Sequence, residues 1–82
     1  MKENILVSYF PKNSLEEVRA QITNYKGHDL IDVRVWVKRK DGQGDLATAK
    51  GLTLNIDLMP QLKEAVLALE QAVKTYKEEN QE

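Results

Sequence analysis

Between Leu30 and Lys38, Ile31, Val33, Val35 and Val37 alternate with Asp32, Arg34, Trp36 and Lys38. Successive strand side chains point to opposite faces, so the four β-branched residues share one face and the charged and aromatic residues share the other. The first face suits a core. The second combines cations with a large ring, the pairing that holds phosphates and stacks the bases of a single strand. Arg19 can join that surface from a neighbouring strand, with Tyr25 and Lys26 at a connecting turn and Lys50-Gly51 at the end of a later strand. Lysine and arginine neutralise phosphates, and a bare glycine lets backbone approach backbone. Trp36 has two readings, a stacking platform or a packed residue of a core or dimer contact, and its type does not decide between them.

Catalysis finds little support. His28 has Asp29 and Asp32 nearby, but the two acids fall on opposite strand faces, which favours a turn-and-surface role. Ser8 and Ser14 have no histidine suitably placed to activate them. Gly42 and Gly44 do not lead into a helix, so the glycine-rich phosphate cradle lacks its context. No cysteine and a single histidine argue against disulfides, a thiolate metal site or a structural zinc. No metal, cofactor or enzymatic activity is expected.

These residues need elements to hold them. An arm over residues 1–13 contains Ile5-Leu6-Val7-Ser8-Tyr9-Phe10 and ends in Pro11-Lys12-Asn13. It either adds an edge strand or lies over the core. Residues 15–24 carry two patterns. Ser14-Leu15-Glu16-Glu17 reads as a capping box, yet Val18, Ala20 and Ile22 alternate with Arg19, Gln21 and Thr23. The short connection through Gly27 favours a strand paired with the next one, about residues 29–39. Asp41-Gly42-Gln43-Gly44 is a turn, followed by a third strand near Asp45–Ala49, an interruption at Gly51 and a short fourth strand, Leu52–Leu54. A helix follows, capped by Asn55 or Asp57, with Pro60 in its first turn. Leu58, Leu62, Val66, Leu69, Val73 and Tyr76 repeat at spacings of three and four. A helix of about 20 residues is about 30 Å long, more than a small sheet covers, so Leu62, Val66, Leu69 and Val73 are expected to meet a second copy. Packing of the stripe on its own sheet is the competing reading.

The 82 residues allow one domain with a small core, which pairing would reinforce. The expected division is an arm over 1–13, a domain over 14–77 and a polar tail over 78–82. The apolar run at Ile5 is too short for a signal core or a membrane span, so a soluble intracellular protein is expected. The formal net charge is −1, but charge is unevenly spread. Arg19, Lys26, Arg34, Lys38, Arg39, Lys40 and Lys50 gather in the middle, while Asp57, Glu64, Glu70, Glu78, Glu79 and Glu82 make the last third acidic. Such a molecule can bind a polyanion on one side.

Phe10-Pro11-Lys12-Asn13-Ser14, Val18-Arg19, Tyr25-Lys26-Gly27, Leu30-Ile31-Asp32-Val33-Arg34, Lys50-Gly51-Leu52-Thr53-Leu54 and Gln61-Leu62-Lys63-Glu64 occur in order over roughly residues 10–75. Together they resemble the transcriptional coactivator family called positive cofactor four, and the Phe-Pro-Lys-Asn-Ser arm is like its bacterial branch. The resemblance implies an α+β fold, a four-stranded antiparallel curved sheet followed by one long C-terminal helix, and a homodimer joined through the helices. It implies binding of single-stranded or melted DNA with little sequence preference, and partners among transcription or replication proteins. Carried over by position, Tyr25 is the stacking aromatic, Arg34 the strand arginine, Lys50 the lysine before the glycine, and Arg19 a first-strand cation. Where the eukaryotic form has two successive aromatics, this chain has Trp36 and Val37.

The nucleic-acid-binding set is therefore Arg19, Tyr25, Lys26, Arg34, Trp36, Lys38, Lys50 and Gly51. RNA could use the same surface, since stacking and phosphate contact barely distinguish the two polymers. A small dimeric protein-interaction module is the reading from a different class. The expected location is the bacterial cytoplasm, associated with the nucleoid, or the nucleus of a eukaryote.

Overall fold

The computed structural model describes residues 4–80, so residues 1–3 of the expected arm and 81–82 of the expected tail lie outside the described residues. The elements are β1 (Ile5–Pro11), β2 (Glu16–Tyr25), β3 (His28–Lys38), β4 (Asp45–Asn55), a short 3-10 turn (Ile56–Leu58) and α1 (Met59–Glu79). The strands form one antiparallel sheet in the order β1-β2-β3-β4. This is the expected α+β architecture, but the strands divide differently. The arm supplies the edge strand β1, and the expected third and fourth strands are one strand, β4.

Gly51 does not interrupt β4. The β3–β4 register slips between Arg34 and Trp36, so Arg34 lies opposite Gly51 while Trp36 lies opposite Ala47. The extra residues are absorbed in a bulge. A Cβ at Gly51 would stand 2.4 Å from the Val33 carbonyl oxygen and 2.6 Å from Arg34 Cα. Only glycine permits that approach, which is why a residue that looks like a breaker sits inside a strand.

Local chemistry explains the connections. Lys26 (φ 50°) and Gly27 (φ 82°) are both left-handed, the geometry of a two-residue type I′ hairpin turn. Between β1 and β2, Asn13 Oδ1 accepts from the backbone N–H of Leu15 and Glu16, and its Nδ2 donates to Glu16 Oε1 at 2.7 Å. That hydrogen bond, followed by nearby Lys12 and Lys50, holds the Glu16 carboxyl below its usual pKa. Asn13 thus turns the chain, and the apparent capping box at Ser14 leads into a strand. Asn55 caps the 3-10 turn through the Asp57 N–H, and Pro60 sits at the start of α1, where a missing N–H costs nothing.

The register gives the sheet two unlike faces. One carries Ile31, Val33 and Val35 in line with Ile22, Ala20 and Val18 on β2, with Leu54 and Leu52 opposite Ile31 and Val33 on β4. An apolar groove of about 930 Å³, lined by Ile5, Ile22, Ile31, Val33, Met59 and Leu62 among others, runs between this face and the start of α1. From Lys63 to Glu79 every helical residue is exposed, so α1 leaves the sheet after its first turn. Among the described residues no hydrophobic side chain is buried; only Gln21 and Asp32, each 8% exposed, are. The radius of gyration is 15.6 Å, against about 12 Å for a compact chain of this length. A single copy therefore leaves its apolar sheet face and its helix stripe open together.

Candidate nucleic-acid interface

The other face of the sheet is polar. Alternation places Glu17, Arg19, Gln21 and Tyr25 of β2 on it, in register with Trp36, Arg34, Asp32 and His28 of β3. Tyr9 of β1 lies opposite Arg19, and Thr53 and Asp45 of β4 lie opposite Asp32 and Lys38. The structure thus brings Arg19, Tyr25, Arg34, Trp36 and Lys38 to one surface. His28 is exposed at the hairpin tip, and Asp29 and Asp32 fall on opposite faces.

Arg34 is not a free cation. Its Nε and Nη2 donate to the Asp32 carboxylate, its Nη2 also to Thr53 Oγ1, and its Nη1 to the Thr48 carbonyl at 2.9 Å. Thr53 in turn donates to Asp32 at 2.8 Å, and Thr48 donates to the Val35 carbonyl. Hydrogen bonding to Asp32 raises the Arg34 pKa, so the guanidinium stays charged. Arg34 therefore clasps β3 to β4 across the bulge, and the motif residues Asp32, Arg34, Gly51 and Thr53 form one structural unit.

Arg19 is engaged too. It pairs with Glu17 and with Asp45, and its guanidinium carbon stands 4.4 Å from the centroid of the Trp36 ring. Burial alone would lower its pKa; the two carboxylates outweigh that and raise it. Trp36 is half-buried beneath it, and its Nε1 is buried with no acceptor.

The open groups lie elsewhere. Tyr25 is 63% exposed at the hairpin tip, with Lys26 Nζ 5.3 Å from its ring centroid. Lys38, Arg39 and Lys40 are exposed where β3 ends, Arg39 paired with Asp41. Lys50, beside Gly51, is exposed on the edge strand β4. It lines, with Lys12, a shallow groove over Val18, Val35 and Leu52 and lies near Glu16, so it belongs to the margin of the apolar face.

Tyr9 was absent from the expected set. It is 61% exposed and faces the polar side next to Arg19. Its signal was the β-rich run Ile5–Phe10, whose partner strand the sequence does not disclose. Glu17 was also absent, although its two-residue spacing from Arg19 puts both on one face of a strand. Asp45 carries no comparable signal, since it lies 26 residues from Arg19 along the chain.

The surface can therefore stack bases on exposed tyrosines and meet phosphates with lysines. Among the described residues no group of histidines and acids is arranged to hold a metal, and no helix is long and apolar enough to cross a membrane. A protein-family model described as Transcriptional Coactivator p15 (PC4) matches residues 12–65. No curated protein and no solved structure matches the chain.

Proposed function

Because the chain belongs to the transcriptional coactivator p15 (PC4) family, a family of DNA-binding transcriptional coactivators, we propose that it is a non-enzymatic protein that binds single-stranded or melted DNA on the polar sheet face. The observation that carries this reading is the exposed Tyr25 with Lys26 at its ring, at the end of the face that also displays Tyr9 and Lys38. Tyr25 and Tyr9 stack bases, at about 1–3 kcal/mol per base and with little sequence preference. Lys26 and Lys38 neutralise phosphates, and Lys50 meets a strand that passes over the β4 edge. Arg34 acts through geometry, holding the bulge from which Lys50 projects.

The binding unit is a homodimer. The open helix stripe of Leu62, Val66, Leu69 and Val73 and the apolar sheet groove are covered by a second copy, which leaves the polar faces to solvent. Two such faces can hold the two strands of an opened duplex.

Titration of a fluorescent oligothymidine, followed by anisotropy, tests the reading. Saturable binding, tighter than to duplex of equal length and weakened by salt with a log–log slope of about −0.7 per phosphate neutralised, is expected. Absence of binding at low salt, or preference for duplex, would refute it. Parallel titration of oligouridine shows whether RNA competes for the surface.

A further inference from the structure

Arg19 sits in a closed arrangement. Its Nε donates to Glu17 and its Nη2 to Asp45, while the guanidinium lies over the Trp36 ring and the side chain keeps only 18% exposure. A phosphate approaching Arg19 meets a guanidinium whose Nε and Nη2 are already paired with two carboxylates, which offset its charge. A base approaching Trp36 finds the ring covered. One movement frees both: if Arg19 turns from the carboxylates to a phosphate, the indole is uncovered. The Trp36 Nε1 beneath is buried without an acceptor, and a buried donor without one is costly. Taking Arg19 from a carboxylate to a phosphate exchanges one charge-assisted pair for another, so the exchange is reversible. Arg34 differs, because it also holds the Thr48 backbone carbonyl inside the bulge and shares Asp32 with Thr53, so turning it outward would undo the bulge.

We propose that Glu17 and Asp45 are built-in competitors of nucleic acid: they hold Arg19 closed over Trp36, and a single strand binds by taking Arg19 from them and stacking a base on the uncovered indole. The proposal rests on the polar face being the nucleic-acid interface. Glu17 and Asp45 are positioning residues, which set affinity without touching the bound strand.

Trp36 is the chain's one tryptophan, so its emission reports on this ring alone. With the full chain and oligothymidine, emission should quench in step with binding followed by anisotropy. The double variant Glu17→Gln/Asp45→Asn should bind more tightly, by up to about thirtyfold for two surface pairs. Its salt slope should match wild type, since the number of phosphates contacted is the same. Arg19→Gln should bind more weakly and lose about 0.7 from the slope. Glu70→Gln on the helix changes net charge without touching the sheet, and should shift affinity less than about twofold. The proposal is overturned if the double variant binds no more tightly than Glu70→Gln, or if Trp36 emission stays constant while anisotropy reports wild-type binding. Circular dichroism checks folding; should the double variant not fold, Glu17→Gln alone and the wild-type quench decide. Wild-type binding with either negative result refutes this inference only, whereas no wild-type binding removes the interface itself.

Discussion

Gly51→Ala probes the link between sheet geometry and site most sharply. The added Cβ would stand 2.4 Å from the Val33 carbonyl oxygen, 2.6 Å from Arg34 Cα and 2.9 Å from Arg34 Cβ. Carbon atoms need about 3.5 Å or more, so β3 and β4 must separate by about 1 Å at the bulge. Interstrand bonds near 2.9 Å would then exceed the range in which they form. Two or three ladder bonds lost beside Arg34, at about 1 kcal/mol each, give a destabilisation of about 2–3 kcal/mol. For a chain of this size that is a fall of about 10–20 °C in Tm. The assay is thermal unfolding by circular dichroism at fixed protein concentration, because the Tm of the proposed dimer would depend on concentration. A fall of less than about 4 °C, under 1 kcal/mol, would refute the close β3–β4 approach on which the clasp and the placement of Lys50 depend.

Other outcomes follow from the same geometry. Asp32→Asn should weaken oligothymidine binding and lower stability by about 1.5–3 kcal/mol in urea unfolding, because Arg34 loses its charged partner; tighter binding would mark Arg34 as a direct phosphate contact. Tyr25→Ala and Tyr9→Ala should each cost about 1–3 kcal/mol of binding, read by anisotropy, with the salt slope unchanged. Leu69→Asp should abolish the proposed dimer in light scattering and unfold the chain with it, since one copy buries no hydrophobic side chain among the described residues. The Glu16 pKa is lowered in the fold, so its contribution is present above the unfolded value of 4.5 and is lost as pH falls below it. A pH series of Tm should accordingly drop more steeply below about pH 4.5 for wild type than for Glu16→Gln.

Much of the fold is legible in the residues themselves. The alternation on either side of Gly27 gives the β2–β3 hairpin and the content of each face, and the three-and-four spacing from Leu58 gives α1. Gly51 is harder, because glycine in a strand pattern marks both breaks and bulges, and only the pairing with Arg34 decides. The arm is harder still: Ile5–Phe10 has strand composition, but nothing local names its neighbour. At the site, Tyr25 and Lys26 stand where the turn chemistry puts them. Arg19 and Arg34 look free in the sequence, although the two-residue periodicity already sets Glu17 beside the first and Asp32 beside the second. Asp45 completes the pairing from a distance in the chain that no local pattern spans. The division of cations into engaged arginines and open lysines is therefore a tertiary property.

The most direct measurement is amide chemical-shift mapping by NMR as oligothymidine is added. Shifts concentrated at Tyr9, Arg19, Tyr25, Lys26, Trp36 and Lys38, with α1 unmoved from Val66 to Tyr76, are the predicted result. Shifts confined to α1 and the valine face, with the polar face silent, would contradict a nucleic-acid interface on the sheet.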